Sequence, residues 1–219
     1  MNSHSKNIIL IIEILSKKYS STEKTTLNRM RNKPEPFKIL ISCLLSLRAR
    51  DENTEKVSRQ LFEIVSTPEE ILKLSDKKLE KLIYSSGHYK KKTRVLKHVS
   101  KEILERFNGK VPETREELIS IKGIGPKTAN IVLAFAFGKS VIPVDTHCHR
   151  IPNRLGWVQT KTPEKTEQEL NKIIPEKYWN NFNAIFVQFG REICQPISPW
   201  CSKCPIEKYC QKIGVKRNR

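Results

Sequence analysis

Residues 118–133, Leu-Ile-Ser-Ile-Lys-Gly-Ile-Gly-Pro-Lys-Thr-Ala-Asn-Ile-Val-Leu, leave this chain few ways to fold. Thr114 and Glu117 have the spacing of a capping box, which predicts a short helix from there to about Lys122. Gly123-Ile124-Gly125 then permits turns that a residue with a Cβ resists. Pro126 suits the first position of a second helix, and Ala129, Val132, Leu133 and Ala136 follow at helical spacing as one apolar face. The stretch is expected to be a helix, a tight hairpin and a helix.

Two expectations follow. The hairpin and the start of the second helix point N–H groups outward and add the positive end of a helix dipole, a ready site for a phosphate. Lys127 falls in the first turn of that helix, the wrong end for a cation. The dipole there favours a neutral amine, and a neutral amine is a nucleophile. The competing reading is a solvated surface lysine in a lysine-rich chain.

That lysine excess is itself informative. Lys and Arg number 41 against 23 Asp and Glu, a formal net charge of +18 over 219 residues. A chain this basic is expected to meet a polyanion, with nucleic acid favoured over a membrane surface because no long basic amphipathic helix stands apart. Ile8 to Ile12 is too short for a membrane span, is interrupted by Glu13, and has no small-residue cleavage site after it. An intracellular protein is expected.

The remaining segments read as helices with short joints. Ser5 to Tyr19 carries Ile8, Ile11, Ile12 and Leu15 on one face; Ser16 to Lys33 is polar; Phe37 to Ser46 is apolar nearly all round and should be buried. Further helices are expected over about 52–65, from the capping box Thr67-Pro68-Glu69-Glu70, after Ser75, and over 90–107, where Asn108-Gly109 is read as a stop rather than a hairpin. Ser140 to Val144 is an extended connection, Asp145 caps a helix through Asn153, Thr162-Pro163 opens another, and Trp179 to Cys194 is the last long helix. No strand pattern survives, so the fold class is all-α with about ten helices.

Of six cysteines, Cys43 and Cys148 stand alone, and Cys43 is simplest as a small core residue. Cys194, Cys201, Cys204 and Cys210 crowd into the last 26 residues with the spacing C-x6-C-x2-C-x5-C, which says metal rather than disulfide scaffold. Spacing alone leaves zinc and a [4Fe–4S] cluster both open. His147, Cys148 and His149 invite a second metal reading, but catalytic zinc ligands usually show i,i+4 spacing or a distant third ligand, so packing and phosphate contact are preferred.

Gly123-Ile124-Gly125-Pro126-Lys127-Thr128-Ala129, then Val144-Asp145-Thr146-His147, then the four late cysteines, resemble the endonuclease III family of DNA repair glycosylases from about Phe37 to Cys210. The resemblance implies a helix-hairpin-helix glycosylase fold of two helical domains with a cleft between them: 29–138 as a six-helix domain, and 1–28 with 139–219 as the second. It implies that Lys127 attacks the sugar C1′ of a damaged nucleotide, that Asp145 assists, and that Cys194, Cys201, Cys204 and Cys210 hold a structural [4Fe–4S] cluster. It also implies a partner, double-stranded DNA with a damaged base or abasic site, and a monomer working in the cytoplasm or nucleoid of a prokaryote.

The expected DNA contacts are Lys122, Gly123, Ile124 and Gly125 at the hairpin, Arg48 and His88 at the void left by an extruded base, and Arg191. Here the chain departs from its relatives. Arg48, in Ser46-Leu47-Arg48, stands where the family commonly has glutamine, and His88, in Gly87-His88-Tyr89, where an apolar wedge is common. The loop Gln195-Pro196-Ile197-Ser198-Pro199-Trp200 lacks the basic residues usual between the first two cysteines; Arg191, Lys203, Lys208 and Lys216 to Arg219 are the candidates to replace them. The implied activity is removal of oxidised pyrimidines with β-elimination through a lysine Schiff base. The alternatives are a monofunctional uracil or thymine mismatch glycosylase, a non-catalytic DNA-binding module, and an iron–sulfur electron carrier.

Overall fold

The computed structural model describes residues 3–19, 34–47, 49 and 51–219. The polar stretch 20–33 and Arg48 lie outside the described residues. Among those described there are eleven α-helices and no strand. In chain order they are α1 Ser3–Tyr19, α2 Pro36–Ser46, α3 Asp51–Phe62, α4 Pro68–Lys73, α5 Asp76–Ile83, α6 Tyr89–Phe107, α7 Arg115–Ser120, α8 Pro126–Ala136, α9 Thr146–Leu155, α10 Pro163–Ile173 and α11 Trp179–Glu192. Short 3₁₀ turns occupy Tyr84–Ser86, Glu176–Tyr178, Cys201–Lys203 and Glu207–Tyr209. The all-α reading holds.

The chain forms two compact units, Glu23–Lys139 and the pair Met1–Thr22 with Ser140–Arg219. In the first, α2 is the buried centre. Ile39, Leu40, Ile41, Cys43, Leu44 and Leu45 are all sealed from solvent, and the helix packs on α3, α6 and α8. Its apolar circumference explains why it is central: no polar face was available to give to water. The second unit buries Ile8, Ile11, Ile12 and Leu15 of α1 against Phe182, Phe186 and Phe189 of α11. Phe182 and Phe186 stack with centroids 4.0 Å apart.

Helix ends follow their local chemistry, with some differences from expectation. Thr67 and Glu70 make the full reciprocal box. At Thr114 only half of it forms: Thr114 Oγ1 accepts from the Glu117 amide at 3.3 Å, but Glu117 turns its carboxylate to the Thr114 hydroxyl at 2.6 Å. Helix α7 then stops at Ser120, short of Lys122, because Ile121 turns extended at ψ 115° to enter the hairpin. Helix α6 is closed by Asn108 itself in the left-handed conformation, φ 51°, with Gly109 following at φ 77°.

Candidate nucleic-acid interface and cysteine centre

The hairpin between α7 and α8 is anchored from below. Ile121 and Ile124 are buried, and the Ile124 amide donates to Ile121 O at 3.0 Å. Gly123 has φ 108°, and a Cβ there would sit 3.0 Å from Val95 Cγ1, so glycine is required on both counts. Gly125 is different from expectation. It lies at φ −93°, ψ 171°, a conformation any residue adopts, and a Cβ would meet nothing within 4 Å. What its bareness does is leave the N-terminus of α8 without a side-chain cap. Ile124 spends both its side chain and its amide inside the hairpin, whereas Lys122, Gly123 and Gly125 are exposed.

Pro126 is the first residue of α8 and Lys127 the second, with its side chain exposed. Behind them lies α2. Burial pushes the Cys43 thiol up to about 12, and the nearby Lys127 charge pulls it the other way. Cys43 is therefore an inert core thiol underneath the lysine.

His88 is exposed at the N-terminus of α6 with φ 49°, directly after Gly87 at φ 70°. Two successive left-handed residues throw this side chain outward, a strained arrangement of the kind that collects at functional positions. A cavity of about 410 Å³ is lined by His88, Leu44, Leu47, Lys91, Lys92, Val95 and Gly123, so the His88 turn and the hairpin share a space.

In the other unit Asp145 is the N-cap of α9, half-buried, with Oδ1 accepting from the amides of His147 and Cys148 at 2.9 Å each. His147, Cys148 and His149 go separate ways. Cys148 is sealed in the core, His149 Nδ1 meets Thr166 Oγ1 at 2.6 Å, and His147 Nδ1 lies 3.1 Å from Arg150 Nη2. Helix α11 comes so close here that a Cβ on Gly190 would fall 2.2 Å from His147 Nδ1.

Cys194, Cys201, Cys204 and Cys210 line one cavity of about 30 Å³, walled also by Arg154, Ile206 and Val215. None of the four is in a disulfide. Among the described residues no three His, Cys, Asp or Glu side chains are arranged to hold a single metal ion. Burial pushes Cys204 up to about 11 and also raises Cys201 and Cys210. Donors already point at two of the sulfurs: Arg154 Nη1 at 3.4 Å from Cys194 Sγ, and the Lys212 amide at 3.4 Å from Cys210 Sγ. Arg154 is buried, and it also donates to Gln195 O and Pro196 O at 2.6 Å. Arg150 Nη2 donates to Cys194 O at 2.7 Å. The i,i+4 spacing of Arg150 and Arg154 after Asp145 was the available signal for this pair. The uncharged loop 195–200 gains its cations from elsewhere: Lys203 Nζ and the Arg219 guanidinium lie 4.7 and 4.1 Å from the Trp200 ring centre, and Arg219 also donates to Ser198 O and Gln195 Oε1. Arg191 is exposed on the last turn of α11, just before Cys194.

Residues 41–176 match the model of the HhH-GPD superfamily of base excision DNA repair proteins. Endonuclease III of Thermotoga maritima is 47% identical over 87% of this chain and 92% of its own length. The chain belongs to the endonuclease III family. A solved endonuclease III–DNA complex, described as a trapped covalent intermediate, matches it with a TM-score of 0.84 and 32% identity over 97% of both chains. A thermostable thymine-DNA glycosylase matches with a TM-score of 0.86 at 23% identity, which is a likeness of fold alone. Membership of the endonuclease III family makes this chain a base excision repair DNA glycosylase, with the lyase activity of that enzyme class. No helix among the described residues is long and apolar enough to cross a membrane.

Proposed function

We propose that this protein removes oxidised pyrimidines from double-stranded DNA and cuts the strand through a Schiff base on Lys127. The observation that carries the reading is the placement of one exposed lysine as the second residue of α8, immediately beyond an uncapped hairpin. In the proposed reaction the Lys127 amine bonds to the sugar C1′ while the C1′–N bond to the base breaks, and the base leaves with a proton. Ring opening gives the imine. Loss of a C2′ proton and of the 3′ phosphate then cuts the strand, and water returns the free amine.

Asp145 is assigned to charge: its carboxylate stabilises the positive sugar in the transition state or takes the lysine proton. The two Oδ1 bonds to the α9 amides hold it in one orientation. Lys122 and the exposed glycines of the hairpin are assigned to a backbone phosphate, with Ile124 holding the loop in shape. His88 and Arg48 fill the void left by the extruded base, and Arg191 with the cations around Trp200 meets the phosphates on the other unit. The protein acts as a monomer on intracellular DNA.

Four thiols on one cavity are a ligand set that zinc and a [4Fe–4S] cluster both take, and membership of the endonuclease III family favours the cluster. When bound, the cluster supplies thiolate–iron bonds that pin 194–210, a segment of short turns with little apolar surface of its own to bury.

Sodium borohydride reduction in the presence of a duplex with a single 5-hydroxycytosine tests the chemistry. A covalent protein–DNA product is expected; its absence from protein that binds the duplex would reject the Schiff base and favour a water-using glycosylase. Asp145→Asn is expected to slow base release by roughly 10²- to 10⁴-fold in single-turnover assays. The amide can still cap α9, so the melting temperature should move little. An unchanged rate would remove Asp145 from the reaction.

A further inference from the structure

We infer that Lys92 is a positioning residue for opening the duplex, because its ammonium ties the end of α2 to the turn that presents His88. This rests on the reading of His88 as the residue that enters the void. Lys92 is only 7% exposed. Its Nζ donates to Leu45 O at 2.6 Å and to Ser86 O at 2.7 Å. Leu45 lies in the last turn of α2, where carbonyls have no helical partner. Ser86 ends the 3₁₀ turn after α5, and its carbonyl immediately precedes Gly87 and the left-handed His88.

One cation therefore bridges two segments that are far apart in sequence and that both border the cavity shared by His88 and Gly123. Ionised donors make the stronger hydrogen bonds, so the tie is stiff. Burial works against the charge and pulls Lys92 down to about 8. An apolar side chain would avoid that penalty but would leave both carbonyls unpaired. The Lys92 bridge thus fixes the separation between the α2 end and the His88 turn. It touches neither sugar nor base; it sets where His88 stands when the helix is prised open.

The test compares single-turnover rates on two substrates: a duplex with 5-hydroxycytosine opposite guanine, and the same duplex with a preformed abasic site, which has no paired base to extrude. Lys92→Met is expected to slow the first by 10- to 100-fold and the second by less than about threefold, because base pairing must be broken only in the first. Lys92→Arg, which keeps a charged donor, is expected to recover most of the loss. His88→Ala is expected to give the same pattern, and the double variant to be no worse than either single one, the mark of two residues acting together.

Equal slowing on both substrates means a merely structural lysine and overturns the inference, as does no slowing on either. If His88→Ala slows the first substrate and Lys92→Met does not, the bridge alone is rejected. If His88→Ala changes nothing, the reading of His88 falls and takes the inference with it. Should Lys92→Met not fold, Lys92→Gln, which keeps a neutral donor, carries the same comparison.

Discussion

Alanine at position 127 is expected to abolish covalent trapping and strand cleavage, and to slow base release by roughly four to six orders of magnitude, the usual loss when an attacking group is removed. The fold should be indifferent. Lys127 is exposed, and α8 is held by its buried face from Thr128 to Phe135. Removing a cation from the positive end of a helix is if anything slightly stabilising, by about 0.3–1 kcal/mol. Affinity for a lesion-bearing duplex should fall only severalfold, because the phosphate contact is assigned to the hairpin backbone. Borohydride trapping with a binding assay on the same preparation separates the two effects. A Lys127→Ala protein that still traps would move the nucleophile elsewhere.

The second large effect concerns the cysteine cavity. Cys204→Ala is expected to lose the iron and its visible absorbance and to free 194–219 for proteolysis. For small metal-closed loops the binding energy is folding energy, apparent values of about 10–16 kcal/mol having been measured for structural zinc. Cys43→Ala and Cys148→Ala are the matched controls. Both residues are sealed in their cores, so each should keep full iron content while losing about a kilocalorie per mole or somewhat more to the cavity left behind. Iron analysis and limited proteolysis read the difference. Full iron in Cys204→Ala would show that the four cysteines do not share one centre.

Much of this was legible in the residues because it is local. The hairpin, the proline start of α8, the capping of α9 by Asp145 and the apolar girth of α2 each depend on neighbours within one or two turns, and each is found where propensity places it. Gly125 misled because glycine has two uses, and only contact geometry distinguishes an open approach from a left-handed turn. Lys92 was hidden for the opposite reason. It sits in a run of three lysines, and only tertiary packing selects the one that turns inward. Arg219 was among the basic residues expected to serve the cysteine loop, but nothing in a basic tail says which one folds back or onto which aromatic ring.

Helix α9 has work at both ends, with Pro152 inside it. Its ten residues span about 15 Å. One end is the aspartate's carboxylate, and toward the other Arg150 and Arg154 grip the backbone and sulfur of Cys194. A short helix held at one end passes a shift there to the other. If the proposed cluster sits there, loosening the sulfur end by oxidation or chelation would swing the far carboxylate without touching any group that reacts, so its loss should register as mis-aimed chemistry as well as a freed tail.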